Sequence, residues 1–504
     1  MSDRRSAREL LHLVLDADSF VSWDVPVADP VDAVPAYRAS LARARERTGL
    51  DEAVLTGRGT IGGVSVAVVV SEFGFLGGSV GVACADRIEA AARRATREAL
   101  PLLAAPASGG TRMQEGTIAF LQMVRISAAI LDHKTAGLPY LVYLRDPTTG
   151  GVLASWASLG HVTVAEPGAL IGFLGPRVSE AITGEAFPDG VQRAENLAAH
   201  GIIDAVVPPE ALGALAARAL RLIGGRGAPQ ARVETTSSSG RVLDTRTEPA
   251  ARPADSVWDD VLRTRDPRRP GIRQLLRYAA SNVLPLSGTA EGEQHPGVLT
   301  ALARLADTAC VVVAQDRATQ RRREPIGPGA LRQVRRCIAL ASELRLPLVT
   351  VIDTPGAALS REAEEGGLAG EIARCLSDLL RLPSPTVSLL LGEGAGGAAL
   401  ALLPADRVVA AEHSWLAPLP PEGASAILHG GDISFAPELA AAQGVAVARL
   451  QEAGVVDLIV PESPDVATFS RDLVRAVSAA LAEAADEPWS LRAPRRAQRY
   501  RRGQ

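Results

Sequence analysis

DPTTGGVLASWA (Asp146–Ala157) and GEGAGGAALALL (Gly392–Leu403) together decide the fold. Each follows a continuous apolar run, PYLVYL (Pro139–Leu144) or PTVSLLL (Pro385–Leu391), of the kind found in strands buried on both faces. Each then passes through a Gly-Gly pair into a small-residue stretch that reads as a helix. The two copies stand 246 positions apart, as Pro139 and Pro385 do, and the register extends beyond them. Pro101-Leu102 meets Pro347-Leu348, Gly110 meets Gly356, and Gly150-Gly151 meet Gly396-Gly397. Further on, Val162, Ala165, Glu166 and Leu170 meet Val408, Ala411, Glu412 and Leu416. One ungapped register over about 70 positions, with glycines and prolines in step, points to a duplication.

Working outward, each repeat reads as strand, Gly-bearing turn, helix, strand, Gly-Gly turn, helix, strand. That alternation is an α/β pattern with right-handed crossovers. Upstream, residues 1–50 read as helical with an irregular middle, and Ile61–Val70 as a strand. SEFGFLGGSVG (Ser71–Gly81) reads as a Gly-rich loop, Ala83–Leu100 as a helix and Pro101–Ala105 as a short buried strand. Residues 224–255 have linker composition, rich in Gly, Ser, Thr, Pro and charge. Two domains are therefore expected, 1–223 and 256–504, with the second compact region running to Glu487. The basic tail Arg492–Arg502 reads as a solvated end or an intersubunit contact.

Composition narrows the function. At 504 residues with 47% hydrophobic and 22% charged content, the chain suits two soluble globular domains. A formal charge of −4 gives no reason to expect a nucleic-acid partner. Lys134 is the only lysine. P-loops, Schiff-base enzymes and biotin carriers each need a lysine in a particular setting, and LDHKTAG around Lys134 fits none of them. The chain is thus not expected to carry biotin itself. Cys84, Cys310, Cys337 and Cys375 are far apart with no CxxC pair, so neither a zinc ribbon nor a disulfide framework is expected. MSDRRSARELLHLVLDADSF (Met1–Phe20) does not read as a signal peptide, and no run approaches the ~20 apolar residues of a membrane span. The cytoplasm is the expected compartment.

A Gly-Gly pair at a strand–helix junction lets the backbone approach a ligand while the N–H groups of the first helical turn point outward. Two such groups aimed at one point make an oxyanion hole. One pair at each equivalent position of a duplicated domain suggests a pocket with two anion cradles facing each other across a shared cavity. The turns ASGGTRMQEG (Ala107–Gly116) and DTPGAALSRE (Asp353–Glu362) also follow buried strands and are candidate walls of that cleft, with simple turn chemistry as the alternative.

ASGGTRMQEG, GLPYLVYLRDPTTGGVLASWASLG (Gly137–Gly160), AEPGALIGFLGPR (Ala165–Arg177) and FGFLGGSVG (Phe73–Gly81) resemble the β subunit of bacterial acetyl-CoA carboxylase carboxyltransferase. PLVTVIDTPGA (Pro347–Ala357), GEGAGGAALAL, PPEGASAIL (Pro420–Leu428) and SVWDDVLRTRDPRRPGIRQLL (Ser256–Leu276) resemble its α subunit. The order, β-like then α-like, is similar to fused acyl-CoA carboxyltransferases. The resemblance implies two tandem crotonase-like domains (the ClpP/crotonase superhelix). It implies transfer of a carboxyl group from carboxybiotin to an acyl-CoA, with acetyl-CoA giving malonyl-CoA for fatty-acid synthesis. Gly150 and Gly151 would then stabilise the thioester enolate, and Gly396 and Gly397 the biotin ureido oxyanion. Ser108, Gly109, Gly110, Gly356 and Gly394 join as binding residues. Arg112 is a candidate for the CoA phosphates, with a plain surface ion pair as the alternative. Phe73, Phe75, Gly77 and Gly78 are candidates for shaping the CoA side, with core packing as theirs.

The resemblance further implies a separate biotin carrier, a biotin carboxylase, and a homo-oligomer whose site forms between the N-half of one protomer and the C-half of another. The sequence departs from the family in lacking the β subunit's zinc ribbon. It also carries DRATQRRREP (Asp316–Pro325) and Ala358-Leu359-Ser360 on the biotin-side wall. Two other readings are a crotonase-type hydratase, isomerase or decarboxylase using Glu115 or Glu393 as acid or base, and a non-catalytic scaffold. The first leaves one cradle unexplained, and the intact glycine pairs argue against the second. The seven histidines are scattered and read as structural or exposed.

Overall fold

A computed structural model describes residues 4–27, 30, 33–223, 254–291, 293–306, 308–322 and 325–500. The first half builds strands β1 (Val21–Ser22), β2 (Val54–Ile61), β3 (Val64–Ser71), β4 (Leu102–Ala105), β5 (Tyr140–Leu144), β6 (Thr148–Thr149), β7 (Val162–Ala165), β8 (Ile171–Gly172) and β9 (Ala205–Val206). The second builds β10 (Ala280–Leu286), β11 (Val298–Leu305), β12 (Thr308–Gln315), β13 (Leu348–Thr354), β14 (Thr386–Ala395), β15 (Arg407–Ala411), β16 (Trp415–Ala417) and β17 (Leu458–Val460). The sheets run β1-β2-β3-β4-β5-β7-β9 and β10-β11-β12-β13-β14-β15-β17, with β6 paired to β8 and β16 to β14. In each, two antiparallel pairings lead into a parallel remainder. This is the duplicated α/β architecture expected from the sequence.

The apolar runs sit where their composition demands: every residue of β5 and of β14 is buried. One expected strand, Ile61–Val70, is instead two. Gly62 and Gly63 adopt φ of 56° and 78° and turn the chain into the β2–β3 hairpin. The expected linker lies outside the described residues except for Ala254 and Asp255, which open the helix Ala254–Thr264 rather than ending a linker.

The two halves share one continuous apolar core, which includes Ile126 and Ile130 from helix Gly116–Thr135 and Ile372 and Leu376 from helix Leu368–Arg381. Polar contacts reinforce the join. Thr117 donates through Oγ1 to the Leu416 carbonyl at 2.9 Å, and Gln122 Nε2 donates to that of Tyr500 at 3.0 Å.

The basic tail requires a correction. Residues Trp489–Gln498 are helical, and Arg492 and Arg496 are buried against the Asp406 carboxylate at 2.7 and 2.8 Å. An arginine leaves water only when its charge and its N–H groups are met. Asp406 meets the charge, and the carbonyls of Pro383 and Leu382 accept further bonds at 2.7 and 3.0 Å. This end of the chain is therefore part of the fold. No helix among the described residues is long and apolar enough to cross a membrane.

Candidate active site

At the end of β4 the chain turns through Ser108-Gly109-Gly110. The Ser108 hydroxyl accepts the Gly110 N–H at 3.0 Å, while Gly110 takes a φ of 107°. At the end of β13 Thr354 repeats the device, its Oγ1 accepting the Gly356 N–H at 3.1 Å with Gly356 at φ 135°. The next residue of each turn forms a parallel bridge, Val80 with Thr111 and Ile326 with Ala357. Its flanking amides are consumed alike: Arg112 N–H donates to Val80 and Ala358 N–H to Ile326, each at 2.9 Å. The N–H groups of Thr111 and Ala357 themselves have no hydrogen bond to any described residue.

The Gly-Gly pairs show the same equivalence. Gly150 and Gly396 take φ of 65° and 63°, a left-handed conformation that disfavours any side chain. Gly151 and Gly397 follow as the second residues of the helices Gly150–Leu153 and Gly396–Leu400. At that position an amide has no partner within its own helix, and neither residue finds one elsewhere among those described. The turn and the pair touch in the first half, where an added Cβ on Gly110 would stand 3.3 Å from the Gly151 nitrogen.

Unpartnered amides thus recur at positions 246 apart: Thr111 and Gly151, which the Gly110 turn brings together in the first half, and Ala357 and Gly397 in the second. Sequence reasoning placed both donors of each cradle on the glycine pair. In the first half the Gly150 N–H is already committed to the Phe173 carbonyl at 2.9 Å. The free amide beside Gly151 belongs instead to Thr111, the residue after the Gly110 turn, a signal that needed the hydrogen-bond pattern to be read. Gly150 and Gly151 are half-buried, whereas Gly396 and Gly397 are buried, with Gly397 packed against Phe173 and Ile372.

Among the other anticipated residues, Gly77 and Gly78 form the floor of the Ser108 turn. Gly77 O accepts the Gly109 N–H at 2.9 Å, and a Cβ on Gly78 would stand 1.9 Å from the Ala107 carbonyl oxygen. Phe75 is core, fully buried. Gly394 is buried within the β14–β16 ladder, where a Cβ would meet the Trp415 carbonyl at 2.6 Å. Its role is close strand packing.

Arg112 points inward and is 1% exposed, with Nη1 donating to Glu52 Oε2 at 2.9 Å. The expected surface ion pair is instead a buried one with Glu52, in which Arg112 braces the turn that carries Thr111. Glu115 is held by Tyr37 and by the Val82 N–H, and Glu393 by Arg265 and Arg321 at 3.1 and 2.6 Å. On the second half's wall, Asp353 is buried beside Arg317 at 3.5 Å, and burial pushes its carboxyl up to about 6. Gln315 Nε2 reaches the Ala398 carbonyl at 2.7 Å and ties that wall to the Gly397 helix.

The carboxyl transferase domain family model matches residues 2–498. A probable biotin-dependent acyl-coenzyme A carboxylase beta3 subunit of Mycobacterium tuberculosis is 55% identical over 508 residues, covering 99% of this chain and 98% of that one. The acetyl-coenzyme A carboxylase carboxyl transferase subunits beta/alpha of Salinispora tropica are 39% identical over 516 residues, covering 99% and 90%. The crystal structure of a transcarboxylase 12S hexamer with methylmalonyl-coenzyme A bound aligns with 96% of this chain and 90% of its own, at 21% identity and a TM-score of 0.39. Matched from end to end by the family model and by these relatives, the chain belongs to the carboxyl transferase domain family.

Proposed function

We propose that the chain is the carboxyltransferase component of a biotin-dependent acyl-CoA carboxylase. It would move a carboxyl group from carboxybiotin on a separate carrier protein to the α-carbon of an acyl-CoA, with acetyl-CoA, giving malonyl-CoA, as the leading substrate. The observation that supports this most is the recurrence of unpartnered amides at equivalent positions of the two halves. A reaction that develops negative charge on two different oxygens calls for two such donors sets, fixed before the substrate arrives.

Carboxybiotin, when bound, supplies both the carboxyl group and a base, so the protein's own work is to position and to stabilise charge. Thr111 and Gly151 would donate to the thioester oxygen as it gains charge. Ala357 and Gly397, with the Gly396 turn behind them, would donate to the ureido oxygen of biotin. The chain's own packing requires glycine at Gly151 and Gly397. A Cβ at either would lie 2.8 to 2.9 Å from its nearest neighbour.

The reading assigns the facing couples to two protomers of a homo-oligomer, with a biotin carrier and a biotin carboxylase as further partners. Relatives named as biotin-dependent carboxylase subunits support it. The hydratase alternative gains nothing from Glu115 and Glu393, since both carboxylates are engaged by structural donors.

The test is the reverse reaction. Purified chain mixed with malonyl-CoA and biotin methyl ester is expected to release CO2, and Gly151→Val and Gly397→Val are each expected to abolish that release. Retained activity in both variants would sink the assignment.

A further inference from the structure

Both glycine pairs of one chain are tied to a single residue, Phe173. Its carbonyl accepts the Gly150 N–H at 2.9 Å, and its ring carbons stand 2.8 and 3.0 Å from where a Cβ on Gly397 would lie. Its own N–H donates to Glu364 Oε1 at 2.7 Å. Glu364 belongs to the other half of the chain, in the helix Arg361–Glu365 just downstream of the turn that carries Ala357. Gln192 Nε2 donates to the same carboxylate oxygen at 2.6 Å and to the Leu174 carbonyl at 2.7 Å.

This carboxylate is an unusual choice for its place. It is 8% exposed, and among the described residues no cation pairs with it. An isolated buried carboxylate is costly, and burial, partly offset by the hydrogen bonds from Gln192 and Phe173, pushes this one up to about 7. What it gains is an acceptor for the backbone at Phe173 and for Gln192.

We propose that Glu364 is a positioning residue. By holding the Phe173 backbone from the second half of the chain, it sets the Gly150-Gly151 turn of the first half and the wall behind Gly397. One contact between the halves thereby fixes both amide couples. The inference rests on the carboxyltransferase reading above.

Three variants separate the parts. Glu364→Ala removes the acceptor, Glu364→Gln keeps an acceptor oxygen without the charge, and Phe173→Leu keeps the backbone groups but removes the ring. Calorimetry with malonyl-CoA alone reads the first couple. The KM for biotin methyl ester in malonyl-CoA decarboxylation reads the second.

Glu364→Ala is expected to weaken malonyl-CoA binding about tenfold and to raise the biotin methyl ester KM, since an orphaned buried N–H no longer fixes the turn. Glu364→Gln should stay within about threefold of wild type on both, because its oxygen still accepts. Phe173→Leu should raise the biotin methyl ester KM while leaving malonyl-CoA affinity in place.

A Glu364→Gln chain as impaired as Glu364→Ala would overturn the proposal, and so would a Phe173→Leu chain that weakens both sides equally. Should Glu364→Ala fail to fold, the other two variants decide by these same criteria. A wild-type chain that neither binds nor decarboxylates malonyl-CoA overturns the carboxyltransferase reading and takes this inference with it. An active wild type with an undisturbed Glu364→Ala overturns this inference alone.

Discussion

Gly151→Ala adds one carbon at the position where the first amide couple is most sensitive. An ideal Cβ there stands 2.9 Å from Thr111 Oγ1 and 3.3 Å from Met123 Cγ, whereas ordinary contact begins at 3.4 Å. Backbone strain is not involved, because Gly151 does not take a left-handed φ. Met123 is flexible enough to absorb its tenth of an ångström. The Thr111 contact, half an ångström too close, is relieved by moving the segment that carries the Thr111 N–H. A shift of that size takes a donor from about 2.9 to about 3.4 Å from the oxygen it serves, beyond useful hydrogen-bond range. Losing one such donor costs on the order of a hundred- to a thousandfold in kcat.

Biotin-dependent decarboxylation of malonyl-CoA is the assay, and Thr111→Ala is the instrument that isolates the cause. It deletes the obstructing oxygen and keeps the N–H. Gly151→Ala alone should lose at least about a hundredfold in kcat, and the double variant should recover most of that loss. Thr111→Ala alone bounds whatever the hydroxyl itself contributes. A double variant no faster than Gly151→Ala, or a Gly151→Ala chain at the wild-type rate, would refute the reasoning.

Two further outcomes test the fold and its charges. Asp406→Asn leaves Arg492 and Arg496 buried without a carboxylate, a loss of about 3 kcal/mol. Amide exchange in the helix Trp489–Gln498 should quicken roughly a hundredfold, and exchange unchanged within about threefold would mean that Asp406 does not hold this end. Glu364 concerns pH. Burial lifts its carboxyl from an ordinary 4.5 to about 7, so the folded chain binds that proton more tightly than the unfolded chain. Its contribution to stability is complete below about 4.5 and is lost as pH rises through about 7, amounting to about 3 kcal/mol. Denaturation of wild type against Glu364→Gln should show the difference shifting in favour of the variant as pH rises over that window, and parallel curves would contradict it.

The duplication was legible because glycine and proline mark turns wherever they occur, so two copies of one turn pattern stay in register even where their side chains differ. The buried strands β5 and β14 were legible for a related reason, as unbroken apolar runs leave no polar face to expose. The β2–β3 hairpin was missed although Gly62-Gly63 marks it, because the apolar run from Val64 dominated the reading. Thr111 and Ala357 escaped notice since an amide counts as free only after every competing carbonyl has been placed. Gly150 shows the converse: its N–H is consumed by Phe173, 23 residues away in sequence. Arg112 and the terminal arginines were misjudged for one reason. Their carboxylates, Glu52 and Asp406, lie 60 and as many as 90 positions away, so nothing local announced the pairing.

The apolar core that runs unbroken from one half into the other has a consequence for how such a chain can evolve. Neither half, produced alone, could hide the surface it now presents to its sibling, so each would depend on capturing the other before it aggregates. Covalent linkage removes that search and fixes the stoichiometry at one to one. It also means that a substitution on either side of the seam is judged by selection on the behaviour of both halves.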